Sequence, residues 1–211
     1  GPEAGGKSTA FDPLLAPNLD SLRMRIRNCE RCGLCADRKT IVFGRGNQRA
    51  KLFFVGECPD EVEDGTGLAF SGQAGKLLDQ IVHSIGLNVH AAYLTNVVKC
   101  RPPGNRKPKA DEVQTCLFIL KKQIEIVEPK LIVALGNTAT QALLPEAPNI
   151  ARMRGKLTSY NGIPLMPTYH PGYLLKRFSA ANDVWNDMRQ IRQFIVRNNL
   201  NDPKGMCPRC S

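Results

Sequence analysis

Cys29, Cys32, Cys100 and Cys116 are the residues of this chain best suited to hold a metal centre. Cys29 and Cys32 form a C-x2-C pair, Cys100 ends the run YLTNVVKC, and Cys116 lies within ADEVQTCLFILKKQIEIVE. Thiolates from separate elements could therefore close around one thiophilic centre, and an iron-sulfur cluster is the first expectation. Cys35 extends the pair to C-x2-C-x2-C, a bacterial ferredoxin spacing, but no fourth cysteine with a trailing proline follows. Zinc bound by four thiolates is the rival, although its two knuckles usually lie closer in sequence. The final C-x2-C, Cys207 and Cys210, has no second pair nearby and reads as part of a tail.

Composition bounds the setting. With 211 residues, 42% apolar and 6% aromatic, the chain suits one ordinary globular domain. No apolar run approaches the roughly 20 residues of a membrane span, and GPEAGGKSTAFDP lacks the apolar core of a secretion signal. Eight cysteines without such a signal favour metal or redox chemistry over disulfides in a protein that is not secreted. Gly1 and Pro2 resemble a cleavage scar, so residues 1–16 are expected to be a tag remnant and flexible tail, 17–198 one domain, and 199–211 a C-terminal tail. The formal charge of +10 is concentrated in RMRIR, RCGLCADRK, KCRPPGNRKPK, ARMRGK and LLKRF. A partner with many phosphates explains this better than a small substrate does, and a solvated basic surface is the plainer alternative.

The elements that must position these residues alternate along the chain. PNLDSLRMRIRNC reads as a helix, KLFFVG as a buried strand and GQAGKLLDQIVHSIG as an amphipathic helix closed by Gly86. AAYLTNVV, KLIVALG and IPLMPTYH supply three more strands; ADEVQTCLFILKKQIEIVE, NTATQALL and NDVWNDMRQIRQFIVR supply helices. Short, almost wholly apolar strands alternating with helices predict an α/β fold, a three-layer α/β/α sandwich around a mainly parallel four-stranded sheet. In such sheets ligands bind beyond the carboxyl ends of the strands, where GECPD, TNVVKC, GNTAT and HPGYLL fall.

The order of these loops resembles the family 4 uracil-DNA glycosylases, the iron-sulfur branch of the uracil-DNA glycosylase superfamily. The resemblance spans roughly residues 20–196 through GE-x-P-x-x-x-ED, G-x-x-F-x-G-x-AG-x-LLD, TN-x-VKCRPP, the later helix cysteine, RGK and HPGYLL. It implies hydrolysis of the N-glycosidic bond of uracil in single- or double-stranded DNA by a monomeric, cytoplasmic, nucleoid-associated repair enzyme. It also implies one structural [4Fe-4S] cluster on Cys29, Cys32, Cys100 and Cys116, leaving Cys35 and Cys58 free.

The same resemblance implies roles within the site. Phe70 would stack on the flipped base. The amide of Asn96 would donate to uracil O4 and accept from N3–H, a pattern cytosine cannot return. His170 would donate to uracil O2 as negative charge develops there. Glu57, supported by Glu63, would stabilise the oxocarbenium-like sugar or orient water. Cys58 lies in the same turn and is expected beside the base. Tyr173, Leu174 or Leu175 would wedge into the base stack, while Lys176, Arg177 and Arg154 meet phosphates, with Arg101, Arg106, Lys107, Lys109, Arg152 and Lys156 extending the track.

One departure stands out. Relatives usually read GE-G/A-PG where this chain has Cys58 and Asp60, and a glycine at the latter position suggests positive φ or close approach to substrate. Shifted base specificity, or a non-catalytic DNA-binding or redox-sensing module, is the alternative expectation. A branch that links covalently to DNA carries a histidine-bearing insert after the TN-x-VK strand; here that region reads CRPPGNRKPKADE, without histidine.

Overall fold

The computed structural model describes residues 12–200, so Gly1, Pro2, Cys207 and Cys210 lie outside the described residues. Its strands are β1 (Arg45–Gly46), β2 (Leu52–Gly56), β3 (Tyr93–Asn96), β4 (Leu131–Leu135), β5 (Thr158–Tyr160) and β6 (Ile163–Thr168). They form one sheet in the order β1-β3-β2-β4-β6-β5. The four expected strands, β2, β3, β4 and β6, are mutually parallel and central. The expected count of four is corrected to six among the described residues, because the two- and three-residue segments β1 and β5 add to the edges antiparallel. Segments that short carry too little alternation to be read from sequence.

Both faces of the central strands are buried, which is why they are apolar throughout. Phe53, Val55, Ile132 and Ala134 face one layer, containing α1 (Leu19–Ile26), α4 (Ala110–Val127) and α5 (Gly136–Leu143). Phe54, Leu94, Val133 and Met166 face the other, containing α3 (Gln73–Ser84) and α8 (Ala181–Arg197). Short helices α2 (Glu61–Thr66), α6 (Ile150–Met153) and α7 (Pro171–Lys176) occupy the connections. Helix α4 stops at Glu128, whose left-handed backbone ends the turn ahead of Pro129. Among the described residues no helix is long and apolar enough to cross a membrane. Within the stretch expected to be a tail, Asp12–Ala16 pack onto the domain, with Asp12 capping a 3-10 turn and Ala16 buried.

Arg154 corrects the expected phosphate track. Its guanidinium lies 2.7 Å from Asp187 Oδ1 and 3.3 Å from Asp183 Oδ1, and over the Tyr169 ring. Asp187 is fully buried and also accepts from Thr168 Oγ1 at 2.7 Å. The turn must pass close by: Gly155 has φ +69°, and a Cβ there would lie 2.5 Å from Asp187 Oδ1. The RGK motif therefore ties α8 to the end of β6, two residues before His170. Removing one partner of such a pair strands a buried charge. Asp187→Ala should lower the unfolding free energy by roughly 3 kcal/mol in urea titrations. Lys156→Ala, on the exposed side of the same motif, should change it by under roughly 0.5 kcal/mol.

Candidate active site

Three side chains predicted from the sequence meet over one backbone atom. A Cβ added to Gly56, the last residue of β2, would lie 2.3 Å from Asn96 Oδ1, 2.7 Å from Phe70 Cζ and 3.4 Å from His170 Nε2. Asn96 ends β3 directly opposite Gly56 in the parallel register, and Val97 N–H continues the pairing to Gly56 O at 2.9 Å. Asn96 is 2% exposed, yet its Nδ2 has no hydrogen-bond partner among the described residues. A buried unpaired amide donor is costly unless a ligand completes it.

His170 caps the N-terminus of α7. Its Nδ1 accepts from Gly172 N–H at 3.0 Å, so the neutral ring carries its proton on Nε2, facing the pocket. The residue keeps some surface open to the cleft, but enough protein surrounds the ring for burial to pull its pKa down to about 4. At neutral pH it is an uncharged Nε2–H donor. The main chain of Gly136, at φ +88°, packs close enough to His170 that a Cβ would approach the imidazole stem to 3.3 Å.

Phe70 is 3% exposed and takes φ +56°, a conformation an aromatic residue adopts only under surrounding constraint. The constraint is visible. Its carbonyl accepts from Arg45 Nη2 at 3.1 Å and packs so tightly on α3 that a Cβ at Gly75 would come within 1.9 Å. Its N–H donates to Glu63. The ring lies 6.2 Å from that of His170 at an interplanar angle of 28°.

Glu63 itself is buried and closes a capping box with Asp60: Glu63 Oε2 accepts from Asp60 N–H at 3.1 Å and Asp60 Oδ1 from Glu63 N–H at 2.9 Å. Burial raises its pKa to about 7, and the backbone hydrogen bonds from Asp60 and Phe70 work against that rise. Both Glu63 and Asp60 are thus engaged in holding the start of α2. Asp60 has φ −91°, ordinary extended backbone, so the concern about positive φ does not hold. Glu57 is half-buried beyond β2 and accepts from Thr138 Oγ1 in α5. Cys58 packs against the core, and burial beside Glu57 and Glu63 pushes its thiol well above the usual range.

On the α4 side of the sheet, Cys29, Cys32, Cys100 and Cys116 line one small cavity with Arg38 and Lys99, and Cys35 lies outside that lining. Arg38 Nη1 lies 3.6 Å from Cys100 Sγ, and Lys99 N–H donates to Cys116 Sγ at 3.4 Å. Burial pushes the Cys100 thiol up to about 12 and the Cys116 thiol up to about 11, so binding of a cation must release their protons. Among the described residues, no three His, Cys, Asp or Glu stand close enough to share a single metal ion.

The family model described as the uracil DNA glycosylase superfamily matches residues 43–189, from the loop before β1 into α8. The chain belongs to the uracil-DNA glycosylase superfamily. It is 38% identical to the type-4 uracil-DNA glycosylase of Saccharolobus solfataricus, over 84% of this chain and 87% of that protein. It is 40% identical to the type-4 enzyme of Thermotoga maritima, covering 82% and 92%, and 37% identical to that of Archaeoglobus fulgidus, again covering 82% and 92%.

The segment after β6 differs from expectation. Leu174 is 7% exposed and belongs to the core, because helical spacing in α7 turns it inward; Leu175, at 53%, faces out with Tyr173, Lys176 and Arg177. Phe178, unpredicted, is 86% exposed beside them. Arg106 is paired with Glu112 at 2.6 Å, and Arg101 with Glu61 at 3.7 Å. Sequence reading also missed Arg45 and the pocket role of Gly56. The GE pair after an apolar strand was the available signal for the latter. Gly56→Ala should overpack the junction and lower stability by about 1–3 kcal/mol in urea unfolding, with Asn96 and Phe70 displaced in a crystal structure.

Proposed function

We propose that this chain is a monofunctional uracil-DNA glycosylase that flips uracil out of DNA and hydrolyses its N-glycosidic bond, leaving an abasic site. The observation that carries this reading is the buried, unpartnered Asn96 amide converging with His170 Nε2–H and Phe70 on the open space over Gly56. A base inside a duplex is out of reach, so the nucleotide rotates into the pocket and stacks on Phe70. Asn96 Nδ2 then gains an acceptor in uracil O4, while Oδ1 accepts from N3–H. Cytosine offers a donor and an acceptor in the reverse places and leaves both groups unpaired.

As the bond to the sugar lengthens, negative charge gathers on uracil O2 and the neutral His170 donates to it from Nε2. A neutral donor suits the role, because it stabilises the leaving anion without transferring a full charge beforehand. Glu57, fixed by Thr138, faces the opposite charge on the sugar and orients the attacking water. Leu175 and Phe178 fill the gap left by the flipped nucleotide, and Lys176 and Arg177 meet the flanking phosphates. The cap formed by Asp60 answers the concern about positive φ, and uracil is the base the pocket groups match best.

The four-cysteine cavity supports the [4Fe-4S] expectation, because thiols from three separate segments gather round one space. When bound, the cluster would cross-link α4, the segment after α1 and the loop after β3. The nearby N–H donors of Arg38 and Lys99 would offset its thiolate charge. Purified protein should contain iron and inorganic sulfide in equal amounts, about four each, and Cys35→Ser should retain both; stoichiometric zinc without sulfide would reject the cluster.

Single-turnover excision on uracil-containing oligonucleotides, followed by alkaline cleavage of abasic sites, tests the activity itself. Asn96→Ala and His170→Ala should each slow excision by about one to two decades, the latter with DNA affinity nearly unchanged. Asn96→Asp should shift preference toward cytosine. Wild-type rates in both alanine variants would place the site elsewhere.

A further inference from the structure

Lys99 is the largest fully buried polar side chain among the described residues, and the reaction outlined above makes no use of it. Its Nζ donates to Thr95 Oγ1 at 2.6 Å, to Gln123 Oε1 at 2.7 Å and to the main-chain carbonyl of Asn96. Three acceptors thus lie within hydrogen-bond reach of a nitrogen whose pKa burial pulls down to about 7, so its donors are satisfied inside the protein whether or not it carries the charge. Two of those acceptors belong to the last two residues of β3.

The main chain of Lys99 belongs to the thiol site instead. Its N–H donates to Cys116 Sγ at 3.4 Å, its carbonyl accepts from Val42 N–H at 2.8 Å, and Cys100 follows it directly. Gln123 lies on α4, the helix that carries Cys116, and its amide donates to Phe43 O at 2.8 Å. One residue therefore has its backbone among the cysteines and its ammonium under the strand end that presents Asn96.

We propose that Lys99 is a positioning residue that fixes the Asn96 amide against the base, from a place that the four-cysteine site sets. This deepens the glycosylase reading and rests on it. The Cα that carries the Asn96 side chain is bonded directly to the carbonyl that Lys99 holds, so a shift of that peptide plane carries the side chain with it. Without the ammonium, the carbonyl loses its donor and the edge-reading amide loses its register with Gly56. The expected defect is in base reading, with DNA affinity and iron content unchanged.

A double-mutant cycle on the cluster-loaded protein tests this. Lys99→Met keeps the length and apolar volume and removes the donors. Uracil excision in single turnover should fall about 10- to 100-fold with iron content unchanged. In the Asn96→Ala background the same substitution should cost less than about threefold, because its effect passes through Asn96. Hydrogen exchange at Val97 and Val98, whose amides bond to Gly56 and Glu57 carbonyls, should quicken. Equal losses in both backgrounds, or unchanged excision and exchange, would overturn the proposal. Should Lys99→Met lose iron, Thr95→Val removes one acceptor outside the thiol-lined cavity, and the same non-additivity with Asn96→Ala is then expected. A wild-type chain that excises no uracil would sink the function itself, leaving the exchange measurement to decide on Lys99.

Discussion

The pocket depends on close pairing of two parallel strand ends at a residue that has no side chain. Gly56 and Asn96 are register partners, so the Asn96 amide is carried over the end of β2, and any Cβ on Gly56 would occupy the space in which Asn96, Phe70 and His170 converge. The remaining architecture serves this junction. Strands β3 and β4 flank β2 on either side, so consecutive crossovers leave in opposite directions and their loops open a crevice above β2. Asn96 ends β3, Glu57 and His170 follow β2 and β6, and Thr138 lies in the first turn of α5 after β4. Parallel strands place all of those ends on one edge of the sheet, which an antiparallel meander does not do.

The groups in the crevice are held before any substrate arrives. Phe70 is kept in a left-handed conformation by Arg45, Glu63 and the bare face of α3 at Gly75. His170 is fixed by Gly172 N–H on one nitrogen, leaving the other as a donor whose neutrality follows from burial. Orientation of this kind matters because donors already aimed at the developing charge need no reorganisation during bond breaking. Strain at Phe70 is tolerated for the same reason: the contacts that impose it also aim the ring.

The thiol site and the base pocket lie on opposite sides of one short segment, Asn96–Cys100. Lys99 spans them, and Asp64 makes a second tie by accepting from Lys39 and Thr40 N–H at 2.9 and 3.2 Å, joining α2 to the segment that follows Cys29, Cys32 and Cys35. A centre that cross-links these segments would stiffen the loops around the pocket without touching the base. Such stiffening needs no electron transfer, so it would suit the hydrolytic reaction proposed.

Much of this was legible in the sequence. Apolar runs of strand length alternating with amphipathic helices determine a parallel sheet covered on both faces, because period and burial are written locally. The GE, TN and HPG motifs could be placed at strand ends for the same reason: each adjoins an element whose type is plain. Partner choice is another matter. Arg154 reads as a phosphate ligand until Asp187, 33 residues later, claims it, and Leu174 reads as a wedge until the turn of α7 buries it. Glu63 and Asp60 look like paired chemistry and an anomalous turn, yet together they cap a helix. Sequence by itself determined which residue types stood where chemistry was wanted. Only the tertiary structure decided which of them were consumed by neighbours, because a buried charge or amide takes whatever partner packing brings within 3 Å, however distant that partner is along the chain.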